Sequence, residues 1–272
     1  MPRHAYVAFL ICSALLWAQG ASAAMSAWAE NEGGRMRIIA LPAEPDGTVR
    51  GALQIEPKNG WITYWKEPGQ AGIPPQITIS PGDGIRLQKV EFPVPRQFMT
   101  GDVRDLGYDH AVTLPFTLAV EDKAKPLMLN ASAFVGLCRN ICIPFQADFH
   151  MDMASAKGLP FEENLILDEA RKSLPEQPSE DFAVAHHALT DGKRNLRVGL
   201  RLPADSPPPQ IFVATPAGHV LFDQTGAQMV DGTYVVTMPL GKGADKAVVA
   251  GRNWDILVIA GSRAMETALA FD

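Results

Sequence analysis

Cysteine is scarce in this sequence, with three in 272 residues: Cys12, Cys138 and Cys142. A fold held together by many disulfides is therefore excluded, since such scaffolds are short and cysteine-dense. Long apolar runs are equally scarce. One lies at the N-terminus, and no second stretch approaches the roughly 20 apolar residues of a membrane-spanning helix. Positive charge is not in excess: 24 Lys and Arg stand against 30 Asp and Glu, a formal charge of −6. That balance argues against nucleic acid or an anionic lipid surface as partner. There is no phosphate loop and no dinucleotide fingerprint. Asp109-His110 resembles half of a catalytic triad, but no G-x-S-x-G elbow accompanies it, so hydrolase chemistry has little support. Internal repeats and low-complexity segments are absent as well.

The N-terminus has the layout of an export signal. Arg3 and His4 form a short basic region, Ala5 to Ala18 is apolar, and Ala21-Ser22-Ala23 supplies the small residues that signal peptidase reads. We expect residues 1–24 to be a signal peptide cut after Ala23 or Ala24, and the remainder to reach the periplasm. A membrane anchor would need a longer apolar stretch. A lipoprotein reading would use Cys12, which lies inside the apolar run behind bulky Ile11. Cleavage after Ala23 removes Arg3 alone among the charged residues, leaving 23 basic against 30 acidic residues, about −7. The mature chain, with no further apolar span, is expected to be soluble.

About 250 mature residues exceed the usual size of one domain, so two are expected. Short runs of alternating polarity separated by turn residues recur along residues 33–151: Met36 and Ile38, Leu53 and Ile55, Leu114 to Val120, Leu127 to Ala133, Phe145 to Met151. This spacing predicts a β-sandwich. Trp61, Tyr64 and Trp65 form an aromatic cluster before a Pro/Gly-rich loop from Pro68 to Pro75. Residues 159–172 switch to helical composition, and Pro175 and Pro178 stop the helix. Strand patterning resumes after Asp181, at Leu196–Leu202, Ile211–Val213, Tyr234–Met238 and Ile256–Val258. The expected fold is all-β, with two immunoglobulin-like sandwiches joined by a short helix. The expected bounds are 25–156 for a redox sandwich, 157–178 for the helical linker and 179–272 for a second, smaller sandwich.

With Cys12 removed, two cysteines remain, four positions apart. An even count in an exported chain points to one disulfide. Four residues of extended strand span about 13 Å, whereas a disulfide needs Cα atoms within about 7 Å. The chain must turn back between the two. Arg139-Asn140-Ile141 fits a three-residue hairpin loop; a helical turn would also bring i and i+4 together, but the flanking strand patterns favour the hairpin. Pro144 lacks a ladder donor and fits an edge or exposed position. So short a bridge gains little chain entropy, which points to chemistry rather than stapling. Exchange needs an accessible disulfide, and Arg139 places a cation beside Cys138 that favours a thiolate. The alternatives are an inert structural clip and a metal site drawing on His150-Met151-Asp152-Met153. Core-and-surface alternation explains that last run more simply, so no metal ligand is assigned.

These residues resemble a known family. Gly60-Trp61-Ile62-Thr63-Tyr64-Trp65-Lys66-Glu67-Pro68-Gly69 with Gly72-Ile73-Pro74-Pro75, then Glu91-Phe92-Pro93-Val94-Pro95, Gly107-Tyr108-Asp109-His110, Leu114-Pro115 and Gly136-Leu137-Cys138 through Cys142-Ile143-Pro144 are similar to the N-terminal periplasmic region of the DsbD/ScsB disulfide reductases. The resemblance covers about residues 30–155; the remainder looks like the ScsB-type extension. It implies an immunoglobulin-like redox domain with Cys138 and Cys142 as the redox pair and no cofactor. Its partners would be a membrane-embedded reductase module and thioredoxin-like periplasmic proteins. By position, Cys142 resembles the cysteine that the partner attacks. An aromatic cap loop shields the pair in the family, and Phe98-Met99 and Tyr108 lie in the corresponding stretch. The sequence itself shows neither the transmembrane nor the thioredoxin-like module, so electrons are expected to come from another protein.

Trp61, Tyr64 and Trp65 are candidates for docking, with at least one of them expected in the core. His186-His187 is read as a surface pair, since neighbours on a strand point to opposite faces. Three functions stay open: thiol–disulfide exchange of protein-disulfide reductase type, copper handling (ScsB-like proteins are associated with copper tolerance), and a non-catalytic binding module with a structural disulfide. Intact mass and peptide mapping without reductant should show Cys138 bonded to Cys142; two free thiols in freshly isolated protein would overturn that pairing.

Overall fold

The computed structural model describes residues 25–80, 84–122, 127–153, 160–216, 218–241 and 254–271. The expected signal peptide lies outside these residues. The elements in chain order are β1 Ala29–Glu30, β2 Gly34–Ala40, β3 Thr48–Pro57, β4 Thr63–Gly69, β5 Gln76–Ile79, β6 Ile85–Val90, β7 Arg96–Thr100, β8 Val103–Tyr108, β9 Val112–Val120, β10 Met128–Cys138 and β11 Cys142–Asp152. Then come α1 Phe161–Lys172, β12 Ala183–Thr190, β13 Asn195–Arg201, β14 Gln210–Ala214, β15 Val220–Leu221, β16 Thr225–Val230, β17 Thr233–Pro239, β18 Trp254–Ala260 and β19 Arg263–Leu269. The fold is all-β and immunoglobulin-like, with one helix among the described residues.

Three antiparallel sheets build the N-terminal part, in the orders β1-β2-β3-β9-β6, β11-β10-β5 and β4-β8-β7. Period-two patterning decides what they bury. Met36, Ile38, Leu53, Ile55, Leu114, Phe116 and Leu118 from the first sheet share a core with Leu129, Ala133, Val135, Phe145 and Phe149 from the second. Two sheets build the C-terminal part, β12-β13-β17-β16 and β15-β14-β18-β19. Leu196, Val198, Ile211, Val213, Val236, Trp254, Ile256 and Val258 form its core.

The sequence reading placed a loop from Pro68 onward, but β4 runs through Pro68 to Gly69. Its register with β8 jumps between Tyr64 and Gly69, so Pro68 sits where no ladder donor is needed. The β7–β8 hairpin was not anticipated: Arg96-Gln97-Phe98-Met99-Thr100 is mostly exposed and lacks the alternation that marks a half-buried strand. The helix matches its expected span closely. Glu162 and Glu163 in its first turn and Arg171 and Lys172 in its last complement its dipole.

The two parts are fastened through β4, β14 and β18. Along β14 and β18, Ile211, Val213, Ile256 and Val258 point into the C-terminal core, while Phe212 and Leu257 point the other way into the N-terminal one. This sheet is buried on both faces, which explains its continuous apolar runs. Lys66 on β4 pairs with Asp255 and Glu266, each at 2.6 Å. Burial works against the lysine's charge, but Glu266 and Asp255 outweigh it and hold its pKa above the ordinary value. Arg104 on β8 grips Asp223 through both terminal guanidinium nitrogens and lies over the Phe222 ring. The linker is clipped on as well: Glu176 bridges to β19, and Arg263 binds both Glu176 and Asp181.

Lys66→Ala should leave Asp255 and Glu266 facing each other without their cation. We expect a loss of about 1–3 kcal/mol, less than the cost of breaking a fully buried pair, read as a lower melting temperature. Double replacement with Asp255→Asn and Glu266→Gln should restore part of it. An unchanged melting curve for Lys66→Ala would refute this role.

Candidate functional site

β10 and β11 pair in register from Met128↔Asp152 to Cys138↔Cys142, and the three residues between them close the hairpin. The disulfide joins the last pair, with Cα atoms 4.0 Å apart. The closeness follows from the ladder. Cys138 directs its backbone away from β11: its N–H donates to the Ile62 carbonyl at 2.9 Å and its carbonyl accepts from the Ile62 N–H at 2.8 Å. Cys138 and Cys142 are thus a non-hydrogen-bonded antiparallel pair, the kind whose side chains stand closest.

The same arrangement makes the two sulfurs unequal. β10 is the central strand of its sheet and β11 the edge. Cys138 is only 5% exposed, whereas Cys142 is exposed at the tip. Arg139, Asn140 and Ile141 between them face solvent, Ile141 being 69% exposed. Pro144 is exposed on the edge strand, where its missing N–H costs no ladder bond.

Tyr64 is the side chain that β4 brings to the sulfurs. Its hydroxyl lies 3.5 Å from Cys142 Sγ. In the disulfide that sulfur carries no proton, so the hydroxyl donates. The ring is held between two glycines. A Cβ on Gly136 would lie 3.3 Å from Tyr64 Cδ2 and 2.6 Å from Ile73 Cβ; one on Gly72 would lie 2.4 Å from Tyr64 Cδ1. Asp105 on β8 locks the loop carrying Gly72, accepting from the Gln70 and Ala71 N–H groups at 3.1 and 3.0 Å. Burial, with the Asp105 charge adding to it, pushes the Tyr64 phenol up to about 12. The hydroxyl therefore stays a donor at any physiological pH.

The remaining sequence candidates are distributed differently. Trp61 is half-buried, its ring against Gly33 beside Leu137. Trp65 is buried in the N-terminal core and underlies the Lys66 ammonium. Tyr108 is fully buried and its hydroxyl donates to the Pro93 carbonyl at 2.8 Å. Phe98 and Met99 stand opposite Asp105 and Arg104, toward the Gly69 end of the sheet, whereas Thr63↔Tyr108 marks the end nearer Cys138. No contact of either with the disulfide is among those of the described residues. His187 donates its Nε2–H to the Ala270 carbonyl, and His186 covers Gly199. Among the described residues no group of three or more His, Cys, Asp or Glu side chains is placed to hold a metal ion, and no helix is long and apolar enough to cross a membrane.

The class is an immunoglobulin-like β-sandwich that carries an asymmetric, solvent-facing disulfide at a hairpin tip. Residues 36–153 match the family model of the N-terminal domain of the thiol:disulfide interchange protein DsbD. The N-terminal periplasmic domain of ScsB from Proteus mirabilis has a similar fold, with a TM-score of 0.72 and 21% identity over 92% of this chain and 100% of that one. A conserved domain protein from Bacillus anthracis, 10% identical over 86% of this chain and 75% of the other, gives a TM-score of 0.24 and carries no argument. No curated protein matches the chain.

Two predictions follow from the packing around Tyr64. A phenol held near 12 keeps its proton more tightly folded than unfolded. Its contribution is complete below the ordinary value of 10.0 and is lost as pH rises toward 12. Absorbance titration at alkaline pH should show a late-ionising phenol that Tyr64→Phe removes; a normal titration of all phenols would contradict the burial. Gly136→Ala should cost about 1–3 kcal/mol by overpacking and displace Tyr64 from Cys142, measured by melting and by the rate of disulfide reduction.

Proposed function

We propose that this protein is a periplasmic thiol–disulfide exchange protein that relays electrons between a membrane-embedded disulfide reductase module and thioredoxin-like thiol proteins. The observation that carries the reading is the inequality of the sulfurs: one exposed on an edge strand, one buried on the strand beside it. We further take residues 25–156 as the redox domain, 157–178 as its linker and 179–272 as a second domain that braces β4.

The chemistry runs as follows. A thiolate of a reduced partner attacks Cys142 Sγ, the sulfur a partner can reach. The Cys138–Cys142 bond breaks, and its electron pair goes to Cys138 Sγ, which takes up a proton. The partner's second thiol gives up its proton and attacks its own sulfur in the mixed disulfide, releasing Cys142 as a thiolate. Tyr64 stands beside that atom as a neutral donor, so the departing charge is met by a hydrogen bond. The partner leaves oxidised and Cys138 and Cys142 leave reduced; the reverse sequence passes the electrons on.

Position predicts the trapping pattern. Cys138→Ala should form a mixed disulfide through Cys142 with a thioredoxin-like partner, and Cys142→Ala should do so at least about tenfold more slowly, given the burial of Cys138. Replacing both cysteines by serine should abolish exchange and leave the protein folded. Its stability loss should be under about 3 kcal/mol, because the closed loop is so short. The potential should lie above about −300 mV. A more reducing potential together with a large drop in melting temperature would identify a structural clip instead.

A further inference from the structure

We propose that Arg139 and Lys58 form a cationic collar beside Cys142 that selects a partner protein bearing carboxylates around its own reactive cysteine. This rests on the exchange reading above. Several of the described arginines and lysines pair with acids: Arg35 with Glu56, Arg50 with Glu44, Arg86 with Glu121, Arg96 with Asp109. Arg139, next to Cys138 in the chain, and Lys58, in the turn that the Arg139 side chain covers, are among those that do not. Among the described residues neither Arg139 nor Lys58 forms an ion pair, although both are exposed.

Their placement is built by the backbone. Arg139 is the first residue of the hairpin loop, directly after Cys138, and its N–H donates to the Ile141 carbonyl across that loop. Its side chain lies over the neighbouring turn, with Nε 3.8 Å from where a side chain on Gly60 would begin. Gly60 has a φ of +79° and closes the Lys58–Trp61 turn, in which the Trp61 N–H donates to the Lys58 carbonyl. Lys58 is steadied by donating its ammonium to the Asn31 carbonyl at 3.0 Å. That bond satisfies a donor and leaves the charge uncompensated. Glu32, exposed in the adjoining turn, pairs with neither cation.

A partner must bring its sulfur into bonding distance of Cys142, so its rim enters the zone where two unpaired cations act. At physiological salt the screening length is about 8 Å, and charges within it steer association and discriminate between partners. Exposed Ile141 adds an apolar contact at the same tip. An attacking thiolate flanked by carboxylates is favoured here, and one flanked by cations is disfavoured.

The test uses three small thiols as probes: anionic 2-mercaptoethanesulfonate, neutral 2-mercaptoethanol and cationic cysteamine. Second-order rates of reduction of Cys138–Cys142 are compared between the native protein and the Lys58→Gln, Arg139→Gln double variant. Each thiol serves as its own reference, so differences in thiol acidity cancel. The reacting thiolates carry −2, −1 and no net charge respectively, so the variant should slow the sulfonate about threefold or more, slow 2-mercaptoethanol less and change cysteamine least. The contrast should vanish near 1 M salt, where screening falls to about 3 Å. Equal effects on all three probes, or none, would overturn the collar while leaving the exchange reading intact. Failure of the neutral thiol to reduce the native protein would overturn both. Melting curves of the variant should match the native protein, since both side chains are exposed.

Discussion

The backbone of Cys138 is committed twice over, to Ile62 through both its N–H and its carbonyl, and the rest of the site depends on that bridge. It ties the end of β10 to the chain entering β4. It turns the Cys138–Cys142 pair into the close, non-hydrogen-bonded type. It covers the side of Cys138 turned away from β11, while β11 is the edge of its sheet among the described residues, so Cys142 emerges at an edge and Cys138 is enclosed. A single pairing choice thus encloses one sulfur beside an edge that exposes the other. It also delivers Tyr64, two residues beyond Ile62, to the outer sulfur rather than the inner one.

Much of this was legible in the sequence, and the legible parts share one cause. Where a strand is buried on one face, period-two alternation announces it, as at Leu114-Pro115-Phe116-Thr117-Leu118 and along Phe145 to Met151. The hairpin followed from chain reach together with the flanking strand patterns: two cysteines four positions apart in strands cannot bond unless the chain reverses. The role of Tyr64 was hidden among three neighbouring aromatics that sequence could not rank. Their difference comes from tertiary contacts, with Trp65 in the core and Tyr64 wedged between Gly72 and Gly136. The glycines at those positions were the available signal. The β7–β8 hairpin escaped because β7 is mostly exposed and β8 buries consecutive residues, so neither strand alternates.

The C-terminal sandwich is more than an appended module. Its sheet of β14, β15, β18 and β19 lends Phe212, Leu257 and Ala264 to the core beneath the site, and Asp255 and Glu266 to Lys66. Lys66 lies on the same short strand as Tyr64. Loosening that ion cluster would therefore be felt two residues away, at the hydroxyl facing Cys142. A partly buried lysine pays for its desolvation only when acids surround it, and here both acids come from the other sandwich.

A last point concerns why a buried tyrosine and peripheral cations are divided between different shells. A lysine or arginine in the place of Tyr64 would stabilise the thiolate more strongly, but its charge would have to be desolvated between Gly72 and Gly136, and Asp105 nearby would capture it. A phenol avoids both problems. Burial keeps it neutral, with its proton held to about 12, and it still donates to a sulfur anion. The full charges then belong outside, on Arg139 and Lys58, where water carries their solvation and their field reaches an approaching partner. In the proposed exchange, the inner group serves Cys142 as it leaves the mixed disulfide, and the outer groups act on the partner that arrives.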